Sequence, residues 1–259
     1  MQVELKNENE NEHFNDQLFF EVNKYDIHGT GIDFGETFCR AAINRRNGLE
    51  VISLDNAGQK FLPSCVAFDE KIAKCGQIVQ NVEGFVGMFS EDALAVIFKC
   101  IKQKTEEYKA EKLEEVVISV PYNFNESQRN AVSIAAKIAE WKTVWLLQEP
   151  FAAVYGYWYL LPKTQTPGTI LVIDFGGGNL NVCILRVTNK EIALLSYQNN
   201  NKVGGKMFDE ILIEYFENKL KTDFQILIPG NKRFLLKKES QKIKEELSIV
   251  EKQWHVYIQ

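Results

Sequence analysis

Two stretches of the chain, GIDFGET at residues 31–37 and VIDFGGGN at residues 172–179, repeat one pattern. Each begins as an apolar, strand-like run and continues through Asp-Phe-Gly into two more strand-like segments separated by a turn. The following segments lie near 37–44 and 49–54 in the first copy, and near 180–187 and 191–197 in the second. Duplication of such a unit predicts two related lobes that face each other.

The repeated residues have a chemistry that suits nucleotide binding. Asp33 and Asp174 each end a strand, which places a carboxylate at a sheet edge, and the glycines that follow let backbone N–H groups approach an anion. A Mg²⁺ ion held through waters and phosphates could bridge the two aspartates. Glu149, at another strand end, could order a water nearby. Glycines at hairpin turns are also common for purely structural reasons.

The rest of the chain predicts a mixed α/β fold. Helical patterns alternate with strands and lie near 90–108, 126–140, 151–161, 207–219 and 232–247. The sequence contains neither GxxxxGK[ST] nor GxGxxG, which argues against P-loop and Rossmann folds.

Local signals add detail to two of these elements. Asn125 and Gln128 form the reciprocal capping pattern at the start of the helix predicted near 126–140. The apolar residues predicted to face the core from that helix are Ala131, Ile134, Ala135 and Ile138. Trp141 and Trp145, which flank the next strand, are predicted to be core residues.

The charge distribution excludes several classes of protein. The 259 residues carry a formal charge of −5, and residues 1–29 alone hold seven acidic and two basic side chains. The remainder is therefore neutral, which argues against a nucleic-acid binder. No apolar run approaches the ~20 residues of a membrane span, and the polar N-terminus has no signal-peptide core. The five scattered cysteines are predicted to be reduced thiols in a cytoplasmic protein.

Several longer motifs resemble the ATPase domain of the 70-kDa heat-shock chaperones, within the actin and sugar-kinase superfamily. They are GIDFGET (31–37), DNAGQKFLPSCVAF (55–68), VISVPYNFNESQRNA (117–131), QEPFAA (148–153), IDFGGGNLNV (173–182), VGGKMFD (203–209) and KIKEELS (242–248). The resemblance implies duplicated actin-like, ribonuclease H-like lobes with mixed β-sheets and flanking helices, the second lobe being incomplete. It also implies ATP or ADP with Mg²⁺ in a central cleft.

The resemblance assigns roles to individual positions. Asp33, Glu149 and Asp174 would surround the magnesium and the attacking water. Lys244 and Ser248 would lie near adenine and ribose. The residues implied to line the phosphates are Gly35, Glu36, Thr37, Gly176, Gly177, Gly178, Asn179 and Gly205.

The departures from the family pattern affect residues that would bind phosphate or take part in hydrolysis. Glu36 replaces a threonine, which puts a carboxylate where phosphates would lie. Gln80 stands where the alignment expects the catalytic lysine, and losing that cation removes stabilisation of the transferring phosphoryl group. Asn179 replaces a threonine and Asn181 an aspartate in the second loop.

The chain is also shorter than the family pattern. Residues 81–115 replace a much longer stretch, and the family's third glycine loop and peptide-binding domain have no counterpart. The predicted organisation is an N-terminal extension, disordered, at 1–27, a first actin-like lobe at 28–168 and a partial second lobe at 169–259.

These residues are compatible with three functions. The first is a nucleotide-binding protein that binds ATP or ADP with Mg²⁺ weakly and hydrolyses it poorly. The second is a non-catalytic module that binds co-chaperones or competes with full-length chaperones. The third is a non-functional, truncated gene product. Neither a nucleic acid nor a membrane is predicted as a partner, and the predicted location is cytoplasmic.

Overall fold

A computed structural model describes residues 17–19, 29–45, 48–68, 73–75, 91–160, 167–188 and 191–249 of the chain. These ranges form a mixed α/β fold with mixed parallel and antiparallel strand pairing and flanking helices, so the predicted fold class is confirmed.

The strands and helices are numbered in chain order. The strands are β1 (Gln17–Phe19), β2 (Thr30–Phe34), β3 (Phe38–Arg45), β4 (Gly48–Val51), β5 (Leu62–Pro63), β6 (Val66–Phe68), β7 (Ala73–Cys75), β8 (Glu115–Val120), β9 (Thr143–Gln148), β10 (Gly168–Phe175), β11 (Leu180–Val187) and β12 (Glu191–Asn200). The helices are α1 (Glu91–Lys109), α2 (Glu126–Ile138), α3 (Glu149–Leu160), α4 (Gly205–Phe224) and α5 (Arg233–Leu247).

The chain divides into two compact units. The first comprises residues 1–174 and 181–198, and the second comprises residues 175–180 and 199–259. The predicted lobe boundary after residue 168 differs from this division and stays a prediction.

The first unit contains a sheet in the order β4-β3-β2-β8-β9, with β5 also pairing with β3. The first three of these strands are the antiparallel meander that the GIDFGET motif predicts. The strands β8 and β9 extend it in parallel, because α1 and α2 carry the chain back across the sheet before each of them. This arrangement brings the end of β2 beside the ends of β8 and β9.

One face of this sheet is covered by α1 and α2, which pack on each other. The core between them includes Phe98 and Ile101 from α1 and Ile118 from β8, each with no exposed surface. The rings of Phe34 and Phe98 meet edge to face with their centroids 5.6 Å apart, a favourable geometry for aromatic pairs. Trp141 is buried here, as predicted.

A second sheet, in the order β1-β12-β11-β10, repeats the meander. Its buried residues Cys183, Leu185 and Ile192 pack with Phe151 and Val154 of α3. The duplicated sequence pattern therefore corresponds to a duplicated strand arrangement. The short strand β1 pairs antiparallel with β12, so part of the N-terminal extension joins a sheet. Residues 1–16 and 20–27 of that extension lie outside the described residues. The disorder predicted for them therefore stays a prediction.

The second unit is built mainly from α4 and α5, which pack against each other. Ile213 of α4 and Leu236 and Ile243 of α5 are buried. Arg233, the first residue of α5, bonds back to Glu210 and Glu217 of α4 at 3.3 and 2.9 Å. Because these three side chains are substantially exposed, the bonds orient the helices more than they stabilise them.

The cap of α2 and the predicted burial of Ala135 are confirmed, but the predicted burial of Ile134 and Ile138 is wrong. Asn125 and Gln128 form both bonds of the capping box at 2.9 Å. The helix buries Val132, Ala135 and Ala136, whereas the predicted core residues Ile134 and Ile138 are 49% and 51% exposed. Two neighbouring stripes of the helix are apolar, and packing against α1 uses the one with small side chains. The prediction for Trp145 is also wrong, because its side chain is 44% exposed.

Candidate functional site

Asp33 lies near the carboxyl end of β2 and is held by two neighbours in the first unit. Its Oδ1 accepts a hydrogen bond from the Ser119 hydroxyl at 3.3 Å, and its Oδ2 lies 3.4 Å from the Arg40 guanidinium. Ser119 is opposite Asp33 in the parallel β2–β8 pair, and Arg40 is opposite it in the antiparallel β2–β3 pair. Strand pairing therefore fixes the orientation of this carboxylate.

Sequence reasoning missed both of these partners. Arg40 was detectable in principle, because a tight turn after Asp33 sets the hairpin register and puts residue 40 opposite residue 33. Ser119 depends on a parallel pairing between segments that lie 86 residues apart, which no local signal reports.

Glu149 is the first residue of α3 and follows directly on β9. Its pKa is raised to about 8, mainly because burial disfavours the charged form. The negative charges of Asp174 and then Asp33 raise it further. The structure thus brings together, within electrostatic range, the three carboxylates that the sequence predicts at strand ends.

Asp174 is oriented by a hydrogen-bonded chain of side chains. The amide of the buried residue Asn181 donates to Asp174 Oδ2 at 3.1 Å, and the Tyr197 hydroxyl donates to Asn181 Oδ1 at 3.0 Å. The Tyr197 ring in turn packs on Tyr122, with centroids 4.6 Å apart. Sequence reasoning treated Asn181 only as a replaced aspartate and missed Tyr197. Both residues nevertheless lie on strands that the sequence predicts.

The carboxylates suit a hard cation bound indirectly. Among the described residues, no group of three or more His, Cys, Asp or Glu side chains is arranged to hold a metal directly. Carboxylate oxygens are nevertheless the ligands that Mg²⁺ prefers, and this ion usually keeps several of its waters. The raised pKa of Glu149 marks negative charge that a cation would offset. The residues present therefore fit a water-mediated Mg²⁺ better than a closed metal cage.

The first glycine loop connects β2 to β3 and is braced by the segment after β5. The Gly35 N–H bonds to the Phe38 carbonyl at 3.2 Å, and a Cβ on Gly35 would lie only 2.6 Å from that oxygen. Ser64 donates its hydroxyl to the Gly35 carbonyl at 2.6 Å and its N–H to the Thr37 carbonyl at 2.9 Å. Glycine is thus required at residue 35 for close backbone approach.

Thr37 carries a polar group that the protein leaves unsatisfied. Its hydroxyl is buried and has no hydrogen-bond partner within the described ranges. Buried polar atoms without partners are rare and mark places where a ligand can complete the bonding. Glu36, beside it, is exposed.

The second glycine loop lies in the second unit and is packed against the start of α4. The N–H groups of Gly205 and Lys206 bond to the carbonyls of Gly176 and Gly177 at 3.0 and 2.7 Å. A Cβ on Gly204 would lie 2.6 Å from the Gly177 carbonyl oxygen, so this contact also requires glycine. The first donors of α4 are therefore used within the protein.

The loop closes on itself through one further bond. The Gly176 N–H bonds to the Asn179 carbonyl at 2.9 Å. Among the backbone–backbone hydrogen bonds of the described residues, the N–H groups of Gly177 and Gly178 do not occur as donors. These two groups can accept an anion.

Lys244 and Ser248 of the α5 region both make internal contacts. Lys244 Nζ lies 2.7 Å from the buried Asp209 carboxylate and donates a hydrogen bond to the Gly205 carbonyl at 3.1 Å. Ser248 donates its hydroxyl to the Lys244 carbonyl at 2.8 Å, which completes the end of α5. Lys244 therefore contacts Gly205 at the start of α4, and Ser248 lies one helical turn beyond Lys244.

A comparison with protein-family models matches residues 29–86 and 78–259 to the Hsp70 protein family. The chain belongs to the Hsp70 family. It is 32% identical over 243 aligned residues to the chaperone protein DnaK of Mycoplasma mycoides subsp. mycoides SC. That alignment covers 84% of this chain and 40% of the relative, so the chain spans less than half the length of the curated relative it matches.

The residues of this Hsp70-family chain that the sequence predicts to depart from the family pattern are located as follows. Glu36 and Asn179 lie in the two glycine loops, and Asn181 donates to Asp174. Gln80 lies outside the described residues. No helix in the described part of the chain is long and apolar enough to cross a membrane.

The raised pKa of Glu149 predicts a pH dependence of stability. The folded-state pKa of about 8 lies above the ordinary value of 4.5, so the folded state binds this proton more tightly than the unfolded state. The wild type should therefore lose stability relative to Glu149→Gln as the pH rises from about 5 to about 8. Urea denaturation of both proteins across that interval measures the difference.

The matched control for this experiment is Glu214→Gln, which removes an exposed glutamate of α4. A difference in unfolding free energy between Glu149→Gln and the wild type that is the same at both ends of the interval would contradict the assigned pKa.

The buried pair of Lys244 and Asp209 predicts a large effect of a single substitution. Lys244→Met leaves the Asp209 carboxylate buried without its cation, and we expect a loss of about 3 kcal/mol in the free energy of unfolding. Lys242→Met, an exposed position on the same helix, should cost about 0.5 kcal/mol or less. Denaturant unfolding measures both losses. Equal losses of unfolding free energy in the two variants would show that the Lys244–Asp209 pair does not stabilise the fold.

Proposed function

We propose that this Hsp70-family chain binds ATP or ADP together with Mg²⁺, weakly, and hydrolyses ATP poorly or not at all. The observation that carries the proposal is the group formed by Asp33, Glu149 and Asp174, in which the pKa of Glu149 is raised by burial and by both aspartates. Such uncompensated negative charge favours a hydrated cation, and the phosphates of a nucleotide would supply the remaining ligands.

The phosphate contacts are proposed for the two glycine loops. In the first, Gly35 and the unsatisfied hydroxyl of Thr37 support a phosphate contact, while Glu36 opposes it by charge repulsion. In the second, the N–H groups of Gly177 and Gly178 support one. Gly176, Asn179 and Gly205 are proposed to shape that loop and to line the phosphates.

Weak binding follows from the proposed adenine and ribose residues. Lys244 is engaged by Asp209 and by the Gly205 carbonyl, and Ser248 by the end of α5. A nucleotide that recruits these side chains has to compete with bonds that already exist, and the cost of breaking them reduces the net affinity.

Poor hydrolysis has a physical reason. Gln80 supplies no cation to the transferring phosphoryl group, and each preorganised electrostatic contact of this kind contributes about 3 kcal/mol to catalysis.

The lobe organisation at 28–168 and 169–259, with an extension at 1–27, is part of the same proposal. We also propose a cytoplasmic location and, besides the nucleotide, co-chaperones or other chaperones as partners. The support for these finer statements is membership of the Hsp70 family.

A second candidate function is a non-catalytic module that binds co-chaperones. The observation in its favour is a set of large apolar side chains on β10, β11 and β12 that are exposed, namely Leu171, Ile173, Ile184 and Leu195. Exposed apolar patches of this kind often mark protein interaction sites. Partner binding that is unchanged by Mg·ATP would favour this candidate over the first.

Nucleotide binding is tested by calorimetry and thermal unfolding with Mg·ATP. We expect measurable heat and a raised melting temperature only at millimolar nucleotide, and loss of both in Asp174→Asn because the cation loses a carboxylate. Asp223→Asn, at an exposed position of α4, is the matched control and should behave as wild type. Absence of any heat or thermal shift in the wild type at millimolar Mg·ATP would refute the proposal.

Hydrolysis is tested by restoring the missing groups. The combined variant Gln80→Lys and Glu36→Thr returns a cation and removes a repelling carboxylate, so we expect its single-turnover rate to rise about 10-fold or more over the wild type. Gln103→Lys, which adds a cation on the exposed face of α1, is the control. A combined variant that binds Mg·ATP but hydrolyses it no faster than wild type would contradict this explanation.

A further inference from the structure

We propose that Cys75 and Cys100 form a reversible disulfide when a hydroperoxide oxidises the chain. Cys75 is the last residue of β7, and Cys100 lies on α1, against which β7 packs. The Cys75 and Cys100 thiols are hydrogen-bonded to each other, so their sulfur atoms are close together. Both residues pack on the edge of the same core, and both are partly exposed.

The surroundings divide the two thiols into an attacking and a resolving group. The pKa of Cys100 is lowered, chiefly by its hydrogen bond with Cys75. Burial opposes this shift, and the charge of Lys104, one helical turn further along α1, adds to it. Lys104 Nζ is held in place by Glu107 at 2.9 Å and by Asn56 at 3.1 Å. The same hydrogen bond and burial raise the pKa of Cys75.

The other three cysteines have environments that suppress this reaction. Cys39, Cys65 and Cys183 are buried. Burial is the largest cause that raises the pKa of Cys39 to about 12 and those of Cys65 and Cys183 to about 11. Because the thiolate is the nucleophile and needs access to the oxidant, reaction should be confined to the pair.

The proposed chemistry balances with a hydroperoxide as the oxidant. The Cys100 thiolate attacks the peroxide, an S–O bond forms, the O–O bond breaks, and the second oxygen leaves as an alcohol or as water. The Cys75 sulfur then attacks the sulfenic acid, the S–S bond forms, and water leaves with the proton of Cys75. Two thiols are oxidised and one peroxide is reduced.

The direct test is peptide mapping of the full chain without reduction, after treatment with one equivalent of hydrogen peroxide and alkylation of the remaining thiols. We expect a peptide that links Cys75 to Cys100, a fall in free thiols from five to three, and full recovery with dithiothreitol. The oxidised chain should melt roughly 5 °C higher, because the bond joins β7 to α1 and shortens the unfolded chain.

Single variants test the order of attack. Cys75→Ser should accumulate sulfenic acid at Cys100, detectable as a dimedone adduct, whereas Cys100→Ser should leave Cys75 unmodified. Cys183→Ser, at a buried site apart from the pair, should form the disulfide as the wild type does. The proposal is overturned if the wild type gives no linked peptide, if Cys75 pairs with Cys65 instead, or if Cys75 is modified equally well without Cys100.

Discussion

The main electrostatic constraint on the first unit is that its strands and α3 bring three carboxylates near one another. Asp33 is the penultimate residue of β2, Asp174 is the penultimate residue of β10, and Glu149 begins α3, so each is placed by a regular element rather than by a loose loop. Burial of Glu149 beside the two aspartates raises its pKa to about 8. The repulsion between Glu149 and the two aspartates is reduced either by a proton on Glu149 or by a cation from solution.

The neighbouring residues reduce this repulsion only in part. Arg40 lies 3.4 Å from Asp33, but both side chains are about half exposed, and such a pair contributes little. Asn181 donates to Asp174 as a neutral amide and is itself held by Tyr197. With an aspartate at residue 181, a fourth negative charge would lie in this network. The asparagine thus preserves the orientation of Asp174 without adding charge.

The sequence predicts those parts of the structure that depend on local signals. The repeated Asp-Phe-Gly turns, the capping box at Asn125 and the strand-end positions of Asp33 and Asp174 all follow from short patterns. The exposure of Ile134 does not, because either of two apolar stripes of α2 satisfies the helical period and only packing selects one. The exposure of Trp145 on β9 does not either, because strand alternation leaves open which face of the sheet is covered. Likewise, the partners Ser119 and Tyr197 depend on strand pairing between distant segments, which periodicity does not encode.

Several features of the proposed phosphate site act in one direction. Glu36 puts a carboxylate in the first loop, Gln80 is uncharged, and Lys244 is neutralised by Asp209. The first N–H donors of α4 are taken up by the carbonyls of Gly176 and Gly177. Each of these features lowers the attraction for phosphate, whereas the carboxylates of Asp33, Glu149 and Asp174 favour a cation. Under the proposed function, a nucleotide without its metal would be repelled, and binding would require the cation.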